Sequence, residues 1–208
     1  MERIRLVYSK GYELQFTGNL DMQKVWERSF RRANLPLAYS QGFHPQARIH
    51  QACPLPLGFL SSNDLIDIWL TTEDPIEKIQ NSLQPALQPG ITIQKASLIP
   101  LQEKPLQTLV KAATYQVQID EEICISNLQA RIDEMLSKKE IQRERRGKAY
   151  DLRPLIEKID LLADNLSVLQ MTLTALPSAT GRPEEVIDEL GIPWQETIIE
   201  RTGLILTE

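Results

Sequence analysis

A short polar segment offers the most specific chemistry in the sequence. Residues 40–45 read Ser-Gln-Gly-Phe-His-Pro. Ser40, Gln41 and His44 supply donors and acceptors that could bind a phosphate, a base edge or a peptide, and the glycine permits a positive φ. The same residues also suit a turn, because the proline fixes the exit of the chain. The sequence favours this second interpretation, a buried structural turn with Phe43 packed in the core.

The two histidines and two neighbouring aspartates make a weak case for catalysis. His44 could act as a general acid or base near neutral pH, but the sequence places no second titratable group beside it. His50 falls on a predicted strand with no visible role. Asp64 and Asp67 are three residues apart on a strand, so they point to opposite faces and make a poor acid–base or metal pair. We therefore predict no catalytic residue and no metal site.

Two stretches concentrate positive charge on an acidic chain. The chain carries a net charge of −5, whereas residues 22–50 hold five cations against one carboxylate and residues 138–153 hold seven against three. The first stretch predicts either a phosphate-binding strip along a helix or a solvated face with a Glu27–Arg31 ion pair. The second predicts either a basic hairpin tip that grips RNA by charge or a charged edge that resists aggregation.

These stretches and the polar segment make up the predicted RNA-binding set. Its members are Lys24, Arg28, Arg31, Arg32, Ser40, Gln41, His44, Arg48, Arg143, Arg145, Arg146, Lys148 and Arg153. Tyr150 could stack on a base but is more typical of packing, and an Asp151–Arg153 ion pair is predicted to stabilise the hairpin. The aromatic pattern of a standard RNA-recognition motif is missing from the sequence.

Composition limits the class of protein. The 208 residues are 42% hydrophobic and 25% charged, as in a soluble globular protein, and no apolar run reaches the roughly 18 residues of a membrane span. The first ten residues lack the apolar core of a signal peptide. The two cysteines, Cys53 and Cys124, fit neither a disulfide framework nor a zinc or iron–sulfur site. We expect a cytoplasmic protein without a cofactor and without membrane contact.

Hydrophobic periodicity predicts the same order of elements twice. In the first half we predict a strand or hairpin at 4–8 and 14–16, a helix at 20–33 capped by Asn19 or Asp21, strands at 48–52 and 65–70, a helix from residue 75 with Pro75 at its first position and Asp74 as its cap, and a strand at 91–99. In the second half we predict strands at 115–119, within 141–162 around an Arg146-Gly147 turn, at 166–173 after a turn at 163–165, and at 197–206, with helices at 128–136 and from residue 183.

The repeated β-α-β-β-α-β order predicts the fold class. It indicates an α+β protein of two tandem ferredoxin-like halves with antiparallel sheets. The proline-flanked residues 100–105 read as a linker, which gives halves of residues 1–104 and 105–208.

A distinctive set of segments runs through most of the chain. Residues 38–45 and 55–58, with shorter segments at 20–21, 27–28, 31–33, 151–156 and 182–186, resemble the radical-SAM-linked (radical-SAM-associated) protein family. The resemblance implies a domain of uncharacterised function that is fused to a radical-SAM enzyme or encoded beside one. The context it implies often includes a ribonuclease of the E/G type and ribosomal protein genes.

These observations lead to one functional prediction and two alternatives. We predict a non-catalytic accessory domain that works with a radical-SAM enzyme in a separate chain and binds RNA or a ribonucleoprotein substrate, such as a ribosomal component. The first alternative is a protein–protein docking module for the radical-SAM partner without RNA contact. The second is an RNA-processing enzyme that uses His44 within a paired ferredoxin-like scaffold. This alternative rests on an analogy with some CRISPR endoribonucleases at the level of the fold alone.

Overall fold

The computed structural model describes residues 1–120, 128–162 and 165–207. The chain divides into two compact units, residues 1–110 and 111–207. The architecture confirms the predicted α+β class, with strands that pair mostly antiparallel and few helices. The predicted boundary between residues 104 and 105 stays a prediction.

The first unit is a four-stranded antiparallel arrangement with two main helices. Its elements are β1 (Glu2–Lys10), α1 (Asn19–Arg32), β2 (Ile49–Gln51), β3 (Leu60–Leu70), α2 (Ile76–Leu83), β4 (Ile91–Ile99) and the short helix α3 (Leu106–Leu109). The strands lie in the order β2-β3-β1-β4. In β1 the residues alternate, so Ile4, Leu6 and Tyr8 all face the core.

Aromatic side chains centre this core. Trp26 of α1 is fully buried, 4.9 Å from Tyr8 in an edge-to-face contact and 5.7 Å from Phe30 in a stacked one. Ile79 and Leu83 of α2 belong to the same cluster. Both helices therefore cover the face of the sheet on which Tyr8 lies.

The opposite face of the same strands carries a buried ionic cluster. Asp67 of β3 accepts hydrogen bonds from Arg3 at 2.5 and 2.9 Å and from Arg5 at 2.8 and 3.0 Å. The Arg3 guanidinium also donates to the carbonyl oxygens of Glu103 and Lys104 at 2.7 and 2.9 Å. Arg3 and Asp67 are almost completely buried. One carboxylate thus joins two residues of β1 to β3, and Arg3 fastens the segment after β4 to them.

The second unit adds a hairpin to a similar set of strands. Its elements are β5 (Val110–Ile119), α4 (Leu128–Ser137), β6 (Gln142–Arg145), β7 (Lys148–Asp151), β8 (Ile156–Leu162), β9 (Asn165–Leu176), β10 (Ala179–Thr180), α5 (Pro183–Glu189) and β11 (Thr197–Leu206). The order of the sheet strands is β8-β9-β5-β11, and β10 pairs with the end of β9. Strands β6 and β7 pair with each other as a separate hairpin.

Three local predictions in the first unit were wrong. Residues 14–16 form no strand, because the chain turns into a 3₁₀ helix at Tyr12–Leu14. Helix α1 is capped by the backbone of Gly18 rather than by Asn19 or Asp21. Helix α2 begins after Pro75, and Asp74 instead pairs with Lys78 at 2.5 Å. The predicted turn at 163–165 and the second cysteine fall wholly or partly outside the described residues.

The substitution Asp67→Asn tests whether the ionic cluster holds the first unit together. We expect it to lower the free energy of unfolding by about 3–5 kcal/mol, because the buried guanidinium of Arg3 and the half-buried one of Arg5 lose their shared counter-charge. The control is Asp160→Asn, since Asp160 forms a solvent-exposed pair with Lys158 and should contribute about 1 kcal/mol or less. Urea unfolding followed by tryptophan fluorescence measures both, and equal losses would contradict the assignment.

Candidate nucleic-acid interface

The basic hairpin has a tight turn that the sequence predicts. Arg143 pairs with Tyr150 and Arg145 with Lys148 in the antiparallel register, which leaves Arg146 and Gly147 as the two loop residues. Both loop residues have positive φ, +50° and +74°, as a two-residue hairpin of type I′ requires. Residues 144–148 are all exposed. The hairpin tip therefore presents its cations to solvent.

A groove of about 410 Å³ runs beside this hairpin. Strand β7, the end of β6, Leu155, the turn at residues 177–178, strand β10 and Arg182 line it. Its polar side chains are those of Arg145, Lys148, Tyr150, Asp151, Ser178, Thr180 and Arg182. Three cations and two aliphatic hydroxyls around one open groove suit an anion whose oxygens accept hydrogen bonds, such as a phosphate.

Arg182 reaches the groove through a close backbone approach. A Cβ atom on Gly181 would lie 2.9 Å from the Leu155 carbonyl oxygen, so only glycine fits there without a shift. The Gly181 N–H also donates to the Thr174 carbonyl at 2.8 Å. The sequence prediction missed Arg182, although it lies in one of the segments that carry the family resemblance. Its basic neighbours are remote in sequence, so a count of local charge does not reveal it.

Helix α5 neutralises part of the basic stretch. The Arg143 guanidinium lies 2.7 Å from Glu189 and 3.4 Å from Asp188, and it donates to the Glu185 carbonyl at 3.2 Å. The Tyr150 hydroxyl donates to the Glu185 carboxylate. Arg143 and Tyr150 therefore fix the hairpin to α5, and the tip residues carry the outward-facing charge.

Arg153 and Asp151 do not form the predicted ion pair. Asp151 Oδ1 accepts from the backbone N–H groups of Ile141 and Arg153 at 2.8 and 2.9 Å. The Arg153 guanidinium instead donates to the carbonyl oxygens of Leu136 and Ile156 at 3.0 and 3.3 Å. The prediction failed because both side chains form hydrogen bonds with backbone groups at the base of the hairpin instead of with each other. The Arg153 side chain thus ties the end of α4 to the start of β8.

Two of the five cations in the basic stretch at residues 22–50 form ion pairs with carboxylates on the same helix. Lys24 pairs with Asp21 at 3.3 Å and Arg31 with the predicted Glu27 at 2.9 Å, both on the exposed side of α1. Arg28 is exposed on the same helix.

The remaining two members of this stretch make structural contacts. The Arg32 guanidinium donates twice to the Ala86 carbonyl, at 2.6 and 3.1 Å, and so links the end of α1 to the residues after α2. The Arg48 guanidinium lies 4.6 Å from the centre of the Trp69 ring. The predicted phosphate strip is therefore interrupted by side chains that hold the unit together.

The polar segment at residues 40–45 lies on the surface. Residues 40–46 are all exposed, and the Phe43 ring is fully accessible to solvent. The expectation that Phe43 packs in the core was wrong, because the segment extends from the strands as a loop closed by Ser40 and Gln46. Ser40, Gln41 and His44 therefore share one exposed loop.

Two further properties of the described ranges bear on function. Within residues 1–120, 128–162 and 165–207, no group of three His, Cys, Asp or Glu side chains is placed to hold a metal ion. In the same part of the chain no helix combines the length and the hydrophobicity needed to span a bilayer.

Two carboxyl groups of α5 have raised pKa values. Burial raises the pKa of Glu184 above its ordinary 4.5, and its Oε2 atom has no hydrogen-bond partner among the described residues. Burial also raises the pKa of Glu185, against the opposing charges of Arg143 and Arg145. Both groups therefore bind a proton more readily in the folded chain than in the unfolded one, so their contribution to stability is lost as the pH rises through the folded pKa.

The substitution Glu184→Gln should stabilise the protein at neutral pH. The amide removes the cost of burying a charge, so the gain should be present at pH 7 and should vanish below about pH 4.5, where the unfolded carboxyl is also protonated. Glu144→Gln on the exposed side of β6 is the control and should change little. Thermal unfolding from pH 4 to pH 8 measures the difference. A gain that persists unchanged at pH 4 would contradict the burial account.

Comparison with known proteins gives the family. No match is found among curated proteins. One chain of a solved Cbf5-Nop10-Gar1 complex is similar with a TM-score of 0.45 and 10% sequence identity; the likeness covers 100% of this chain and 48% of that one. This chain therefore spans about half the length of that neighbour, and so low a similarity carries no argument about function. A family described as an uncharacterised protein conserved in bacteria (DUF2344) matches residues 3–183. The chain belongs to this family of uncharacterised bacterial proteins.

Proposed function

We propose that this protein is a non-catalytic accessory protein of a radical-SAM enzyme and that it binds the phosphate backbone of RNA or of a ribonucleoprotein substrate. The observation that carries the RNA part is the groove beside the β6–β7 hairpin, where Arg145, Lys148 and Arg182 surround one open volume. The radical-SAM partner enters from the family resemblance of the sequence. A cytoplasmic location is part of the proposal, since RNA and ribosomal components are found there.

The local charge favours a polyanion over a small neutral ligand. The chain as a whole is acidic, so cations that converge on one groove stand out against the rest of the molecule. Arg182 lies 3.7 Å from Glu184 and 3.9 Å from Glu185, which leaves Arg145 and Lys148 as the outer cations. Serine and threonine hydroxyls beside them can donate to phosphate oxygens. Contacts of this kind bind a backbone with little regard to sequence.

We infer further that each unit is a ferredoxin-like half. The orders β2-β3-β1-β4 and β8-β9-β5-β11 place the first strand of each unit between its third and fourth strands, as in that fold. In the second unit the β6–β7 hairpin is then an insertion between α4 and β8. An insertion at this point explains why the sequence indicates more strands there than the fold needs.

A second candidate function is supported by a different surface. Tyr12, Phe16, Leu20 and Leu57 are all more than half exposed. The segments that carry Phe16 and Leu57 are fastened together, because Gln15 and Gly58 exchange two hydrogen bonds at 3.0 Å. The Phe16 ring lies 3.9 Å from the point that a Cβ atom on Gly58 would occupy, and Tyr12 and Leu20 are each four residues from Phe16 in sequence. Exposed apolar side chains on a well-held surface are typical of protein docking. This surface favours the alternative of a docking module for the radical-SAM partner.

The double substitution Arg145→Glu/Lys148→Glu tests the RNA proposal. Loss of two backbone contacts should weaken binding to a single-stranded RNA by tenfold or more at low salt. It should also reduce the slope of log K against log salt by about 1.4. The control is Lys95→Glu/Lys111→Glu, which makes the same change of charge at two exposed lysines outside the groove. Fluorescence anisotropy over a salt series measures affinity and slope together.

The outcomes separate the candidates. Equal losses in both double variants would mean that net charge, not the groove, drives binding. If the wild-type chain binds no RNA at low salt but still binds the radical-SAM enzyme, the docking alternative replaces the RNA proposal.

A further inference from the structure

The loop at residues 40–46 has a well-defined base. The Ser40 N–H donates to the Gln46 carbonyl at 2.8 Å, and the Gln46 N–H donates to Ser40 Oγ at 3.0 Å. Tyr39 and Ala47 form an isolated bridge below this pair. The loop therefore leaves the first unit from a fixed point.

The backbone of Trp69 in β3 forms hydrogen bonds with the segment that enters the loop and with the segment that leaves it. The Ala38 N–H donates to the Trp69 carbonyl at 2.7 Å, and the Trp69 N–H donates to the Arg48 carbonyl at 3.1 Å. The Arg48 N–H donates to the Ala38 carbonyl at 2.8 Å. The guanidinium group of Arg48 lies over the Trp69 ring, so a positive charge is located at the base of the loop.

The tip of the loop exposes an aromatic ring among polar groups. The Phe43 ring is fully exposed, and Gln41 and His44 of the same loop are exposed as well. Gly42 has a φ of +130°, a conformation that other residues rarely adopt. A single exposed apolar residue needs no explanation by itself. Here the same loop also carries an amide and an imidazole, within two residues of Phe43 in sequence, and each of these groups can donate and accept hydrogen bonds.

We propose that Phe43 stacks on an unpaired nucleobase of the bound RNA, with Gln41 and His44 beside the edge of that base. This inference rests on the proposed RNA function and narrows its substrate to RNA with single-stranded nucleotides. A free base offers a π face and a hydrogen-bonding edge at once, which matches a ring flanked by polar side chains. In a duplex both faces of each base are covered by its neighbours, so the ring has nothing to stack on.

A protein pocket fits this loop less well. A docking residue is normally surrounded by further apolar contacts that exclude water. Among residues 40–46 the ring of Phe43 has only polar, glycine and proline neighbours in sequence, and all of them are exposed. The apolar surface around Phe16 has the composition expected for a protein partner, whereas the loop does not.

The test compares Phe43→Leu with Phe16→Leu. Phe16 is 76% exposed and lies outside the loop, so its substitution is a matched control. We expect Phe43→Leu to weaken binding of a single-stranded RNA by about 5- to 150-fold, the range of one lost base stack. Phe43→Trp should restore binding because it restores a stacking face. Both leucine variants and the wild type should bind a fully paired RNA of equal length with the same affinity.

A fluorescent base analogue provides a second readout. A 2-aminopurine in the single strand should be quenched by the wild type and by Phe43→Trp but not by Phe43→Leu. The inference is overturned if Phe43→Leu binds the single strand as tightly as the wild type, or if it loses affinity for duplex equally. It is also overturned if Phe43→Leu loses affinity for the radical-SAM enzyme but keeps its affinity for RNA. Absence of any RNA binding by the wild type would refute the proposed function itself, and the inference with it.

Discussion

One buried carboxylate, Asp67, organises the first unit. It receives four hydrogen bonds from Arg3 and Arg5, and these fix strand β1 against β3 in a single register. A slip by one residue would move Arg3 into the apolar core, so the ionic cluster and the alternation of β1 enforce the same pairing. Arg3 also lies 5.1 Å from the centre of the Trp69 ring, whose other cationic neighbour is Arg48. The backbone of Trp69 then carries the base of the exposed loop, so the position of Phe43 depends on this cluster.

The second unit uses its charges in two ways. Arg143 and Arg153 hold the hairpin and its base through carboxylates and carbonyl groups, while Arg145 and Lys148 remain on the groove. The acidic side of α5 therefore orients the hairpin without neutralising its tip. Cations used for structure and cations available to a ligand alternate along one short stretch of sequence, and only the fold separates them.

Features set by local chemistry could be predicted from the sequence. The helices at 19–32 and 128–137 follow from apolar spacing, and the Arg146-Gly147 turn follows from the preference of a two-residue hairpin for glycine. The exposure of Phe43 could not be predicted, because a Gly-Phe-x-Pro segment suits a buried turn and a surface loop equally. Nor could the role of Asp67 be predicted, because the nearest carboxylate in sequence, Asp64, is not its partner and the true partners, Arg3 and Arg5, lie more than 60 residues away. The position of Arg182 at the groove could not be predicted for the same reason, since the groove is lined by residues that are distant in the chain.

The central claim is that RNA lies against the β6–β7 hairpin, and photocrosslinking with peptide mapping tests it most directly. The full chain would be irradiated with a 4-thiouridine-labelled single-stranded RNA, and the modified peptides would be located by mass spectrometry. We expect crosslinks within residues 142–151 or 177–182, the two segments that carry most of the groove-lining residues, and we expect their loss in the variant that reverses the charge of the groove cations. Crosslinks confined to other parts of the chain, or none above a non-irradiated control, would contradict it.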